Sequence, residues 1–301
     1  MASRQLQTII DMLKNRPIRE GLSFEETRAG FEMLAQMFTV ASDVTRKPAD
    51  ADGVPGEWIT VPESSDRVTI FYLHGGGYSI GSVNTHADLV SRIARASGAR
   101  AFSLNYRLAP ENPFPAAVDD ATTAYRWLLK QGVRPETIVI AGDSAGGGLT
   151  AATLVALKKS GDPLPGAAVL LSPWTDLEAT GESMKTRAEA DPMIVVDPLK
   201  TMAKLYAGDA ALTDPLVSPL YGDYTGLPPI LIQVGDAEVL LSDSTRYAER
   251  AKAAGVDVTL EVWDEMIHVF QIFAAMLPEG QQAIDKIGAW VKSHVAAVAP
   301  A

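Results

Sequence analysis

The chain contains no cysteine. Disulfides, thiolate zinc sites and a cysteine nucleophile are therefore excluded. Histidine is scarce, with four residues in 301 (His74, His86, His268 and His294), so a metal centre that needs two or three imidazoles has few ways to be built. Basic residues are in deficit: 26 Lys and Arg stand against 37 Asp and Glu, a formal net charge of −11. A polyanionic surface is repelled by phosphate backbones and anionic lipid, which argues against nucleic acid and membrane as partners. A neutral or cationic small molecule meets no such penalty. No apolar run approaches the ~20 residues of a membrane-spanning helix. The opening residues, MASRQLQTIIDMLKNRP, lack the apolar core of a signal peptide. The expectation is a soluble, cytoplasmic protein.

What the chain does hold is enough apolar material for a large core. Hydrophobic residues make up 47% of it, an ordinary globular share, and a chain of this size buries roughly 75% of the surface it exposes when unfolded. That suffices for one large α/β domain with an insertion or for two small domains. Residues 1–45 read as a helical segment, in which Ser23 can cap a helix and Phe24, Phe31, Leu34, Met37 and Phe38 recur at near-helical spacing. This apolar face precedes every strand, so it must rest on something built later. Strands are predicted over 57–61, 68–73, 100–105, 137–141, 167–172, 230–234 and 258–263. Helices are predicted over 85–97, 116–130, 145–158, 242–254 and 280–295. Ile138-Val139-Ile140-Ala141 and Ala168-Val169-Leu170-Leu171 are apolar throughout, as strands covered on both faces are. Strand and helix in alternation imply right-handed crossovers and a mostly parallel central sheet flanked by helices. Residues 175–225, with several prolines and no strand pattern, break the rhythm. They read as an insertion that joins residues 1–45 in a cap over the carboxyl edge of the sheet, leaving 46–174 and 226–301 as the two parts of the core.

Four places carry candidate chemistry. Gly142-Asp143-Ser144-Ala145-Gly146 is an instance of G-x-S-x-G between a buried-type strand and a helix start. A serine on such a turn is exposed as a nucleophile, and the helix N-terminus behind it stabilises negative charge. His74-Gly75-Gly76-Gly77-Tyr78 follows the strand 68–73, and three consecutive glycines leave backbone N–H groups unobstructed for an oxyanion. The donors expected are the N–H groups of Gly76, Gly77 and Ala145, with His74 anchoring the loop. A nucleophile of this kind is followed along the chain by its acid and then its base. Of the two histidines after Ser144, His268 lies in a loop behind a predicted strand, whereas His294 continues the terminal helix and reads as a surface residue. His268 is therefore the expected base. His86, at the opening of a helix, reads as solvated or capping. The loop Gly235-Asp236-Ala237-Glu238 offers two carboxylates for the acid, Glu238 and, as the alternative, Asp236.

These motifs resemble those of the hormone-sensitive lipase family of esterases, bacterial family IV. The carriers are His74-Gly75-Gly76-Gly77, Gly142-Asp143-Ser144-Ala145-Gly146 and Tyr106-Arg107-Leu108-Ala109-Pro110-Glu111. Asp191-Pro192-Met193-Ile194 is similar to a cap-loop signature of one bacterial subgroup. The likeness runs from about residue 57 to the end, and the N-terminal helices match the family's cap. It implies an α/β-hydrolase fold with a helical cap, and a carboxylesterase acting on short- to medium-chain acyl esters through Ser144, His268 and an acid. It further implies no metal or organic cofactor, a pocket lined by Tyr78, Met202 and Leu205, and a homodimer as the implied assembly. The family's acid motif is Asp-Pro-Leu; Glu238-Val239-Leu240 takes its place here, which favours Glu238 over Asp236. Two rivals stand beside this reading. A ligand-binding receptor on the same scaffold would typically have lost the histidine, which is present here. An amidase or peptidase with the same triad would turn over an anilide beside the matching ester.

Overall fold

The structure is a computed structural model that describes residues 3–15 and 21–295. The helical expectation over 1–45 includes residues 1–2 and 16–20, which lie outside the described residues. Within it stand α1 (Arg4–Lys14) and α2 (Phe24–Ala35). Ser23 caps α2 as its sequence suggests: its hydroxyl accepts the N–H of Glu26, and the Glu26 carboxylate accepts the N–H of Ser23. That reciprocal box satisfies two of the donors a helix start leaves open.

The sheet follows as β1 (Thr45–Ala51), β2 (Val54–Thr60) and β3 (Ser65–Leu73), then α3 (Ala87–Ser97), β4 (Ala99–Leu104), α4 (Ala116–Lys130), β5 (Ile138–Asp143), α5 (Ala145–Ser160) and β6 (Ala167–Leu171). The stretch 175–225 holds the short α6 (Ser183–Thr186) and α7 (Val196–Ala207) and no strand. β7 (Ile230–Gly235), α8 (Leu241–Ala253), β8 (Val258–Trp263) and α9 (Pro278–His294) complete the described chain. The strands form one eight-stranded sheet ordered β1-β2-β4-β3-β5-β6-β7-β8. β2 runs antiparallel to both β1 and β4, and every pair from β4 to β8 is parallel.

The buried strands still alternate, but between two apolar layers. Phe71, Leu73, Ile138 and Ile140 point into a cluster with α4, α5 and α8, while Ile70, Tyr72, Val139 and Ala141 point into one with α3 and α9. Each aliphatic side chain so buried contributes about 1.5–3 kcal/mol. Leu177, Met184, Leu199, Ala203 and Tyr206 from 175–225 belong to the first of these clusters, so that stretch is packed onto the core.

Two expectations change. β1 lies ahead of the first predicted strand and opens with Thr45-Arg46-Lys47-Pro48. It is an edge strand bonded only to β2, where a proline costs no ladder bond that a central strand would need. The apolar side of α2 is not buried: none of its residues is fully covered, and Leu34 is 43% exposed. The helix is strapped down by polar contacts instead. Arg28 donates to the carbonyls of Ser79 (2.8 Å) and Ala109 (2.9 Å) and pairs with Glu111, and Glu32 accepts the hydroxyl of Ser82.

Candidate active site

β5 ends in the middle of the sheet, and the next residue turns the chain sharply into α5. Ser144 sits at that turn with φ 53° and ψ −121°, a conformation that costs a non-glycine residue of order 1–3 kcal/mol. Backbone bonds on both sides hold it there. Its N–H donates to the carbonyl of Leu171 at the end of β6 (2.8 Å), and its carbonyl accepts from Trp174 (2.9 Å) and Gly148 (3.0 Å). Gly146 makes the turn possible, since a Cβ at that position would fall 2.0 Å from the carbonyl oxygen of Leu73. The end of β3, and with it the His74–Tyr78 loop, can therefore lie directly against the start of α5.

In that loop Gly76 adopts φ +115°, and a Cβ there would fall 2.2 Å from the carbonyl oxygen of Ile80. The N–H groups of Gly76 and Gly77 meet no acceptor among the described residues. The N–H of Ala145 opens α5, where a helix has no partner of its own to offer. Met202 of α7 packs its sulfur against Gly77. Tyr78 is fully buried and stacked on Tyr206, ring centroids 3.6 Å apart. Leu205, three residues along α7 from Met202, is half-buried.

The Tyr106–Glu111 stretch supports this loop from behind. Tyr106 donates its hydroxyl to the carbonyl of His74 (2.7 Å), and the His74 ring stacks on Tyr106 at 4.3 Å. Ala109 donates its N–H to the carbonyl of Tyr78 (2.9 Å). Burial and the neighbouring His86 push the His74 imidazole down to about 3, so it is neutral, and its Nδ1 donates to the carbonyl of Gly75 (2.8 Å).

His86 corrects an expectation. It makes no capping bond and is 2% exposed, so it is neither a cap nor solvated. Its Nε2 lies 3.3 Å from Asp143, whose carboxylate also accepts the N–H of Gly75 (3.0 Å) and the hydroxyl of Tyr72 (2.7 Å). Burial disfavours charge on both partners, but their mutual attraction outweighs it. The His86 pKa is raised and that of Asp143 lowered, the pattern of a buried ion pair. An isolated residue name could not reveal this; the pairing joins positions 57 residues apart.

His268 follows β8 in a tight loop that passes through Glu265 (φ 60°) and Val269 (φ 47°). Its Nδ1 lies 2.6 Å from Oε2 of Glu238, and both side chains are buried. The carboxylate is an acceptor, so Nδ1 carries the ring proton and Nε2 is free to accept one. Burial pushes the imidazolium down, but Glu238, and beyond it Asp191 and Asp143, prevail and raise the His268 pKa. The other oxygen of Glu238 accepts from the N–H of Gly235 (2.7 Å) and the hydroxyl of Ser172 (2.7 Å). Asp236 turns elsewhere and accepts the N–H of Glu265 (2.7 Å). His294 lies on α9 with its ring stacked on Trp290.

Sequence reasoning missed Ser172. Its hydroxyl also accepts the N–H of Val269 (3.0 Å), so one buried side chain ties the Glu238 loop to the His268 loop. The available signal was its place: it is the first polar residue beyond the apolar run of β6, at the carboxyl edge where open α/β sheets build their sites. Two concavities of about 290 Å³ share none of these residues; one is lined by Asp66, Arg67, Arg100 and Arg134, the other by Glu32, Phe38 and Arg46.

The family described as alpha/beta hydrolase fold matches residues 70–272. A solved structure of an esterase from the bacterial hormone-sensitive lipase family is 48% identical, with a TM-score of 0.96 over 98% of this chain and 100% of that one. The chain belongs to the hormone-sensitive lipase family of α/β hydrolases. Among curated relatives, an acetyl-hydrolase from Streptomyces hygroscopicus is 42% identical over 97% of this chain and 98% of its own. An esterase from Acinetobacter venetianus is 36% identical over 92% and 91% respectively. The chain has one eight-stranded sheet with flanking helices, and none of its described helices is long and apolar enough to cross a membrane.

Proposed function

We propose that this carboxylic-ester hydrolase cleaves short- to medium-chain acyl esters through a Ser144–His268–Glu238 triad and an acyl-enzyme intermediate. The observation that carries the reading is the buried 2.6 Å contact between His268 and Glu238, in a sheet whose central strand delivers Ser144 on a strained turn. His268 Nε2 takes the hydroxyl proton as Ser144 Oγ attacks the ester carbonyl. The N–H groups of Gly76, Gly77 and Ala145 bind the oxyanion, each such donor being worth ~2.7–4 kcal/mol of barrier. Glu238 holds the productive tautomer and stabilises the imidazolium. The alcohol departs with the proton from His268, and water activated by the same nitrogen releases the acid and frees Ser144.

In this reading residues 1–45 and 175–225 form a cap over a bounded acyl pocket lined by Met202 and Leu205, with the fully buried Tyr78 behind that lining rather than in it. The contact of Met202 with Gly77 supports it, because it brings α7 over the oxyanion loop. The acetyl-hydrolase relative supports a short acyl group. A series of p-nitrophenyl esters from acetate to palmitate, with a matching anilide, tests the proposal. From acetate to hexanoate four methylenes add at most ~3 kcal/mol, about 10²-fold in kcat/KM. The optimum should fall at butyrate or hexanoate, palmitate should be poor, and a lipid interface should not activate. A steady rise to palmitate would refute the enclosed pocket, and an anilide turned over as fast as its ester would make the protein an amidase.

The pH dependence follows from His268. Only the neutral imidazole accepts the Ser144 proton, and the carboxylates around it raise its pKa above the ordinary 6.5. The acidic limb of kcat/KM should therefore have its midpoint above 6.5, with roughly tenfold loss per pH unit below it. A rate flat from pH 5 to 9, with chemistry rate-limiting, would contradict this role.

A further inference from the structure

One motif of the sequence has no part in that mechanism: Asp191-Pro192-Met193-Ile194, in the insertion between α6 and α7. Asp191 is 8% exposed. One carboxylate oxygen accepts the N–H groups of Met193 (2.8 Å) and Ile194 (2.9 Å), which closes a local turn. The other reaches out of the insertion and accepts the N–H of Val239 (3.0 Å), the peptide group that joins Val239 to Glu238. Ser183 of α6 takes the other side of the same residue, donating its hydroxyl to the carbonyl of Val239. Ser183 also exchanges two bonds with Ser242, its hydroxyl accepting the N–H of Ser242 (2.9 Å) and its own N–H donating to the Ser242 hydroxyl (2.9 Å). The residue after Glu238 is thus held at both backbone groups by residues of 175–225, which ties the Glu238–Val239 peptide to that stretch.

We infer that Asp191 is a positioning residue for the triad acid, and that with Ser183 it makes the geometry of Glu238 depend on the seating of the 175–225 insertion over the site. The inference rests on the proposed role of Glu238. A neutral amide has one acceptor oxygen and could not hold N–H groups on both sides, as the two oxygens of Asp191 do; the carboxylate also carries a charge. It makes no ion pair among the described residues, and the cation that forms beside it during turnover is the imidazolium of His268. The charged groups acting on that ring come from three elements: Glu238 after β7, Asp191 from the insertion and Asp143 at the end of β5. Asp264 and Glu265 precede it on its own loop, and α1 packs against that loop with the apolar Leu6, Ile9 and Leu13. Loss of the Asp191 charge therefore weakens the support of the imidazolium as well as the hold on Glu238.

The test is a cycle of Asp191→Asn and Glu238→Gln in the full chain, assayed on p-nitrophenyl butyrate from pH 5 to 9. Rates are normalised to active sites titrated with an organophosphate. Asp191→Asn should lower kcat by about tenfold, in the range that displaced supporting residues cost, with KM within about twofold. Its acidic limb should move to lower pH, because a negative charge that raised the His268 pKa is gone. In the Glu238→Gln background the same change should cost almost nothing further, since residues acting through one another are not additive. An equal loss in both backgrounds, an unmoved limb, or a raised KM with unchanged kcat would overturn the inference. If Glu238→Gln alone retains full activity, the triad reading itself has failed, a different result from either. Should Asp191→Asn not fold, Ser183→Ala takes its place in the cycle: a several-fold loss of kcat in the wild type and none in the Glu238→Gln background is expected, and additivity overturns.

Discussion

Glu238→Gln should lower kcat on a short-chain ester by at least ~10²-fold, given ~10⁴ for the analogous change in a serine protease. The reason lies in what each carboxylate oxygen binds. Oε1 takes two donors, the N–H of Gly235 and the hydroxyl of Ser172, and Oε2 faces Nδ1 of His268. A glutamine amide has one oxygen, and the two donors on the first side claim it. Its NH₂ group then faces Nδ1, which can be satisfied only if that nitrogen becomes an acceptor and the ring proton moves to Nε2. The imidazole can then no longer accept the proton of Ser144. Asp236→Asn should cost less than about tenfold, because an amide oxygen can still accept the single N–H of Glu265 that Asp236 binds. Steady-state kinetics of the two variants decides between the carboxylates. The reverse order of losses would make Asp236 the acid and leave the rest of the mechanism in place.

The same pair of residues marks how far the chain could be read without its fold. For two carboxylates two positions apart in one loop, the sequence offers only the resemblance, which favours Glu238. The side chains themselves diverge: Glu238 turns back toward Ser172 and His268, Asp236 toward Glu265. The parallel sheet was legible, because apolar runs such as Ile138–Ala141 need cover on both faces and the helices between them supply it. The turn at Gly142–Gly146 was legible because strand, small residues and helix start follow one another locally. β1 was not, since an edge strand tolerates the proline and charges that argue against a strand elsewhere. Nor was the seating of α2. Its apolar spacing suggested burial, but Arg28 and Glu32 reach carbonyl and hydroxyl groups fifty or more residues away. His86 and Ser172 failed for a related reason. Each gains its role from a partner distant in sequence, Asp143 for the first and Glu238 for the second.

The central claim is that Ser144 is the nucleophile, and its removal should have the largest effect of any single change. Removing a triad serine costs on the order of 10⁶ in kcat, because the base is left with no hydroxyl to activate and the oxyanion donors with no tetrahedral adduct to bind. The fold should survive Ser144→Ala, since the turn is held by the Ser144 backbone bonds to Leu171, Trp174 and Gly148 rather than by its hydroxyl. Alanine in place of serine keeps the same positive φ. The direct measurement is turnover of p-nitrophenyl butyrate by purified Ser144→Ala, paired with intact-mass and peptide mapping of both proteins after treatment with a p-nitrophenyl organophosphate. The account expects loss of all but a trace of activity, one phosphoryl group per wild-type chain on the peptide that contains Ser144, and none on the folded variant. More than a tenth of wild-type activity in the variant, or a wild-type adduct on another residue, would contradict it.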